Sequence, residues 1–288
     1  MLSYRHSFHA GNHADVLKHA VLISVLKYFG QKDTPYTLVD THSGAGAYQL
    51  DSAEAEKIRE ADGGIHKLRE AAKGGKLPKI LAEYLTFVND FNERRADWTR
   101  YPGSPAIAAA LTRAQDRLRF FELHSTDHRL LAQRFEKDVR IQVKREDGFA
   151  GLKAALPPPS RRGLVLIDPS YEIKKTDYRT VSEAINDSVR RFPSGTYAVW
   201  YPVLSLTAAQ QLRETLRKAA NAHKVNWLDV QLKVKRPPKQ GFGMYGSGMF
   251  VFNPPWTLPG LLEPAMPVLV EALGEDEGRG FILEHAIA

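Results

Sequence analysis

Short β-type runs alternating with helical segments predict an α/β protein built on a doubly wound, mostly parallel sheet. Three observations support that class. Helical and strand patterns alternate from residue 107 onward. Gly163-Leu164-Val165-Leu166-Ile167 is a continuous apolar run, as a central strand buried on both faces requires. Asp40, Glu122 and Asp168 each stand where a predicted strand ends, and such sheets bind ligands outside those carboxyl ends.

The elements follow in order. Residues 12–29 read as an amphipathic helix with Asn12 as N-cap, apolar positions at Val16, Val21, Ile23, Leu26 and Phe29, and Gly30 as its stop. Tyr36 to Asp40 is a short strand, and Thr41-His42-Ser43-Gly44-Ala45-Gly46 is a tight loop of small residues. Residues 52–98 turn polar and helical, broken at Gly63-Gly64 and Gly74-Gly75, with Ile80, Tyr84, Val88 and Phe91 at helical spacing. They read as two or three helices inserted after the first βα turn, closed by Pro102-Gly103-Ser104-Pro105. Strands are then expected at 119–123, 139–145, 163–167 and 197–201, with helices starting at 107 and spanning 126–137, 149–156, 178–192 and 207–221. Two late strands, 225–234 and 248–252, have no helix between them and should pair antiparallel at one edge.

Composition narrows the chemistry. The 288 residues include 40 Lys plus Arg against 33 Asp plus Glu, a formal charge of +7 that favours a polyanionic partner. Hydrophobic residues make up 43%, enough for a packed core. Cysteine is absent, which excludes disulfides, thiolate nucleophiles and Cys-ligated metals. The opening residues carry no long apolar run, so neither a signal peptide nor a membrane anchor is expected and the cytoplasm is the default compartment. His9 and His13 are spaced i, i+4, but no HExxH pattern or nearby carboxylate completes a metal set, and no metal is expected.

Four clusters bear on chemistry. The loop after Asp40 has two glycines that let backbone approach a ligand, although it matches neither the dinucleotide fingerprint nor a Walker loop. Glu122 is placed to accept both hydroxyls of a ribose, and Asp147, beside Gly148, the amine of an adenine ring. Together these acids favour a nucleoside-containing cofactor. Asp168-Pro169-Ser170-Tyr171 offers two acceptors, the Asp168 carboxylate and the Pro169 carbonyl, plus the flat face of Tyr171, which suits an exocyclic amine on a planar ring. In the basic loop Lys233–Gly241, Lys235, Arg236 and Lys239 are candidates for phosphate contacts that position RNA. Asn253-Pro254-Pro255-Trp256 reads as the end of the final strand, because too little chain follows it to complete a sheet.

A strand ending in Asp-Pro-Pro-Tyr downstream of a glycine loop marks the amino-group methyltransferases that use S-adenosylmethionine. The opening nineteen residues, from Met1-Leu2-Ser3-Tyr4 through Asp15-Val16-Leu17-Lys18-His19, are more specific. With Asp40-Thr41-His42, Tyr101-Pro102-Gly103-Ser104-Pro105, Asp147-Gly148-Phe149 and Asn253-Pro254-Pro255-Trp256, the chain resembles the bacterial 23S ribosomal RNA adenine-N6 methyltransferases over essentially its whole length. One departure is Ser170, where the family pattern has a second proline.

The resemblance implies a Rossmann-like S-adenosylmethionine-dependent methyltransferase fold: a mostly parallel sheet, an antiparallel edge hairpin and a small inserted helical subdomain. Residues 1–51 would form the tail, first helix and first βα unit, 52–100 the insertion, and 101–288 the rest of the core. It implies that His19, His42, Ser104, Glu122, Asp147, Gly148 and Asp168 line the cofactor pocket, with Lys18 and Gly44 beside them. Asp168 would be the catalytic acceptor, with Tyr4 and His6 near the target base. The implied partner is 23S rRNA, protein-free or in an early assembly intermediate, acted on by a monomer without membrane or metal. A DNA adenine methyltransferase remains open, because the turn at Asp168 does not distinguish RNA from DNA. So does a non-catalytic ribosomal RNA-binding protein, because of Ser170.

Overall fold

The computed structural model describes residues 6–52, 59–171, 174–239 and 243–287. Helix α1 (His13–Phe29) leads into β1 (Thr37–Asp40). A ribbon strand β2 (Ala47–Gln49), a π-helical turn (Asp62–His66), α2 (Lys67–Ala71), α3 (Lys79–Phe91) and the ribbon partner β3 (Arg100–Pro102) follow. Next come α4 (Ser104–Leu111), β4 (Arg117–Phe121), α5 (Ser125–Phe135), β5 (Ile141–Lys144), α6 (Gly148–Ala155), β6 (Gly163–Ile167) and α7 (Lys174–Arg191). The chain continues through β7 (Thr196–Val203), α8 (Thr207–Ala222), β8 (Trp227–Lys233), β9 (Gly246–Phe252), α9 (Leu258–Leu262), α10 (Ala265–Leu273) and β10 (Gly280–Ala286).

Eight of the described strands form one sheet in the order β10-β8-β9-β7-β6-β1-β4-β5. The five strands from β7 to β5 run parallel, and β9 and β10 run against their neighbours. This is the expected Rossmann-like arrangement. The path leaves β1 toward β4 and β5, then returns to its other side at β6. Asp40 and Asp168 therefore flank the switch point, where a crevice opens in such sheets.

The sheet's side chains alternate between two apolar cores. Leu38, Leu164 and Leu166 face α1, α3 and α10, whereas Val39, Val165 and Ile167 face α6, α7 and α8. No helix among the described residues is long and apolar enough to cross a membrane.

Four expectations need correcting. Helix α1 is not amphipathic: Ala14 through Leu26 are all buried, because the sheet packs on one side and the helices of 62–91 on the other. The caps are as read, with Asn12 Oδ1 accepting the Ala14 and Asp15 N–H groups and Gly30 at the far end. The β8–β9 pair is not at the edge. β10 covers β8, and β9 lies between β8 and β7. The ribbon β2–β3, joined through Tyr48 opposite Tyr101, was not anticipated, since three-residue strands leave no periodic signal. Finally, two helices and a strand follow Asn253, so shortness of the remaining chain does not exclude Asn253-Pro254-Pro255-Trp256 as a catalytic turn. Its position does. Phe252 pairs with Tyr197 at the start of β7, so this turn sits at the opposite end of the sheet from Asp168. There Asn253 Nδ2 donates to the Pro193 and Gly195 carbonyls at 2.7 and 2.8 Å.

Candidate active site

A cavity of about 620 Å³ opens at the carboxyl ends of β1, β4, β5 and β6, within the ~300–1,000 Å³ range of small-molecule sites. Each strand end contributes a loop: Thr41–Gly44, Glu122–His124, Glu146–Phe149 and Asp168–Tyr171. Helix α1 closes one wall with Asp15, Lys18 and His19, the short turn His6–Phe8 supplies His6, and Ser104 comes from the start of α4. The cavity thus gathers His6, Lys18, His19, His42, Gly44, Ser104, Glu122, Asp147, Gly148, Asp168, Pro169 and Tyr171. Tyr4 lies outside the described residues.

The densest electrostatics lie where α1 meets β6. Lys18 Nζ donates to Asp168 Oδ2 at 2.6 Å and lies 2.8 Å from Asp15 Oδ1. Burial opposes the Lys18 charge, but the two carboxylates outweigh it and hold its pKa well above the usual lysine value. Burial likewise opposes the Asp15 charge, yet His6 and Lys18 hold its carboxyl well below the usual range. Asp15 Oδ2 also accepts the Gly11 N–H at 2.9 Å and lies 2.9 Å from His6 Nε2. His19 stacks on Tyr101, with Nδ1 2.9 Å from the Tyr101 hydroxyl. Burial pushes its pKa down to about 3, so it is neutral at physiological pH.

Across the crevice, Asp40 is fully buried and its hydrogen-bond donors are neutral: Ser104 Oγ at 2.6 Å and the His42 N–H at 3.2 Å. Burial raises its pKa to about 7, aided by nearby Asp168. A buried carboxylate without a hydrogen-bonded cation suits a positively charged ligand. His42, T-shaped against Phe149 and pushed down to about 4 by burial, does not supply that charge.

The glycine loop is held from both sides. Gly44 has φ +60°, and its N–H donates to Glu122 Oε2 at 2.8 Å. Glu122 Oε1 accepts the His124 N–H at 2.6 Å, and burial raises the Glu122 pKa. Asp147 caps α6, accepting the Ala150 N–H on Oδ1 at 2.9 Å, which leaves Oδ2 for a ligand. Gly148 is set by close approach: a Cβ there would meet the Thr41 carbonyl oxygen at 2.0 Å.

The turn after β6 is pinned at Tyr171, which has φ +53°. Its hydroxyl donates to the Trp200 carbonyl at 2.8 Å and its ring stacks on Tyr178 at 4.7 Å. With one face covered and the side chain buried, Tyr171 is a fixed wall of the cavity more than an open platform. Ser170 is exposed, so the turn is held downstream of the position where a second proline was expected.

The described residues of the basic loop do not line the cavity, although Met244, just before β9, does. β8 runs parallel to β7, so the loop leaves the sheet at the same end as Asp168. Lys235 pairs with Glu275 at 3.0 Å, and the Arg236 N–H donates to Asp276 Oδ1 at 2.9 Å. Two of the three candidate phosphate contacts are therefore tied to an acidic segment. Among the cavity residues, Asp15 was not singled out from the sequence. The available signal was Asp15, Lys18 and His19 at i, i+3 and i+4 in an otherwise apolar helix.

A family model described as "Ribosomal RNA large subunit methyltransferase D, RlmJ" matches residues 33–283. The chain belongs to the RlmJ family. It is 46% identical over 271 residues to "Ribosomal RNA large subunit methyltransferase J" of Escherichia coli (strain K12), covering 93% of each chain. To the Haemophilus influenzae protein of the same name it is 44% identical over 280 residues, covering 97% of this chain and 96% of that one. Among solved structures, protein LPL1258 from Legionella pneumophila matches with a TM-score of 0.85 and 33% identity, over 96% of this chain and 98% of that one. The RlmJ family is a methyltransferase family, and the family model spans the strand-end loops of the cavity and the helices between β2 and β3, while the α1 wall precedes it.

Proposed function

We propose that this protein transfers a methyl group from S-adenosylmethionine to the N6 amine of an unpaired adenine in 23S rRNA. The observation that carries the reading is the Asp168–Pro169 turn, anchored by Lys18, in the same cavity as Glu122 and Asp147. The names of the family and of its two relatives support ribosomal RNA as the substrate class.

The residues present fit the cofactor. Asp40, buried behind the cavity residues Ser104 and His42 that donate to it, supplies negative charge near the cationic end, Glu122 accepts the ribose hydroxyls beside its two backbone donors, and Asp147 Oδ2 takes the adenine amine. Gly148 and Gly44 keep backbone close without a Cβ in the way. When bound, S-adenosylmethionine supplies a methyl already activated by its sulfonium, so no metal or covalent intermediate is needed.

The chain's own task is the amine. An adenine N6 lone pair is delocalised into the ring and is a poor nucleophile. Lys18 occupies Asp168 Oδ2, which leaves Oδ1 and the Pro169 carbonyl to accept the two amine hydrogens and localise that pair. The base must leave its stack to reach the turn. His6, in contact with the Tyr48 ring at 5.1 Å, stands in the cavity wall, and Tyr4 is assigned a role at the target base. The basic loop at this end of the sheet contributes phosphate contacts through Lys235, Arg236 and Lys239.

Transfer of labelled methyl from S-adenosylmethionine to protein-free 23S rRNA, followed by nucleoside mass spectrometry, tests the whole reading. Labelled N6-methyladenosine in RNA is expected, with none in duplex DNA run in parallel. Label in DNA alone overturns the substrate. Bound cofactor without product in either overturns catalysis by the protein as it stands.

The Asp40 assignment predicts a pH dependence. A cation needs the Asp40 carboxylate ionised, and the free-site pKa is about 7. Cofactor affinity should fall roughly tenfold per pH unit as pH drops below about 7 and level off above it. His19 and His42 stay neutral across pH 5.5–7.5 and do not contribute. Calorimetry over that range should show the slope in the native protein and a flat, weaker profile in Asp40→Asn. A native profile without slope removes Asp40 from the cation site.

A further inference from the structure

We propose that Asp15 is a positioning residue for methyl transfer, one that holds Lys18 in place and limits how far Lys18 neutralises Asp168. The inference rests on the reading of Asp168 as the amine acceptor. Lys18 and Asp168 alone would make a complete, neutral buried pair. Instead a second carboxylate, 1% exposed, sits 2.8 Å from the same ammonium. Burying an extra anion in an apolar helix is costly, and the fold does so with dedicated partners. Gly11 N–H and His6 Nε2 fix Asp15 Oδ2, which leaves Oδ1 as the oxygen of the ion pair with Lys18.

Two consequences follow for the acceptor. A lysine ends in a flexible four-carbon stem, and a point charge on it does not fix its own direction. Anchored by Asp15 one helical turn away, the Lys18 ammonium is held against Asp168 Oδ2. Its charge is also divided between two carboxylates. Asp168 therefore keeps more of its anionic character and is a stronger acceptor than a one-to-one ion pair would leave it. Because His6 shares Asp15, the setting of Asp168 is also linked to the His6–Phe8 turn in the cavity wall.

The test compares Asp15→Asn, Lys18→Gln and the double variant in the full chain. It reads single-turnover methyl transfer and KM on 23S rRNA, and the cofactor Kd by calorimetry. Asparagine keeps the shape of Asp15 and an oxygen for the Gly11 N–H. Asp15→Asn is expected to lower kcat about 30-fold or more while KM and Kd stay within about threefold. The double variant should be no slower than Lys18→Gln, because Asp15 acts through Lys18. A kcat within threefold of the native protein overturns the proposal. So do losses that multiply in the double variant, or a Kd that weakens in step with kcat, which marks a purely structural role. Full activity in Asp168→Ala would sink the acceptor reading itself. An inactive Asp168→Ala beside an unimpaired Asp15→Asn sinks this inference alone.

Discussion

Asp168→Ala should abolish methyl transfer while the protein stays folded and still binds cofactor. The substitution removes one of two acceptors aimed at the amine and the only anionic one. Removing such a preorganised group costs roughly 10³-fold in rate. The fold should survive because Lys18 keeps its contact with Asp15 and is not left as an uncompensated buried charge. Asp168 is also partly open to the cavity, with 15% of its side chain exposed, so truncation creates no sealed void. Methylation of 23S rRNA, thermal melting and cofactor titration on one preparation check all three points. Asp168→Asn refines the result, since the amide oxygen still accepts but carries no charge. Transfer within about tenfold of the native rate in Asp168→Ala would show that the Pro169 carbonyl and positioning suffice.

The second large effect is expected at Gly148. The added Cβ of Gly148→Ala would lie 2.0 Å from the Thr41 carbonyl oxygen and 2.7 Å from Thr41 Cα. Those atoms are backbone and cannot swing aside. Thr41 is itself tied to β6, its N–H and Oγ1 both reaching the Leu166 carbonyl at 3.1 Å. Relief must therefore come from sliding α6 outward, which carries Asp147 away from the adenosine end of the cavity. Overpacking of this kind costs roughly 1–3 kcal/mol, and the melting temperature should fall by several degrees. Cofactor affinity should drop by about tenfold or more, as one well-placed polar contact is lost. Gly260→Ala is the control: its Cβ meets nothing within 4 Å, and α9 should gain slightly in stability. Equal behaviour of the two variants would remove close packing at Gly148 as the cause.

The parts of the fold visible in the sequence were those whose physics is local. The run Gly163–Ile167 is buried on both faces, and five apolar residues say so without help. Asn12 is a cap that the side-chain type announces. What was invisible depends on partners distant in sequence. β10 has a mixed sequence with no buried residue and exists because β8 offers it an open edge. The buried face of α1 that carries Asp15 and Lys18 looks polar in sequence. It becomes buried only when the sheet and the helices of 62–91 close over it. The strand-end acids were legible as positions but not in their states. That Asp40 titrates near 7 follows from complete burial and from Asp168, which lies 128 residues further along.

Helix α1, enclosed on every side, also constrains how the molecule is made. Its neighbours include α3, α4, β9 and α9, so the surfaces that shelter it are distributed from residue 79 to residue 262. During synthesis this helix emerges early and waits for most of the polypeptide before its apolar flanks are covered. The wall that presents Lys18 to the acceptor is thus translated before the segments that bury it. Until β9 slots between β7 and β8, the nascent chain carries a helix whose apolar flank on the sheet side is uncovered.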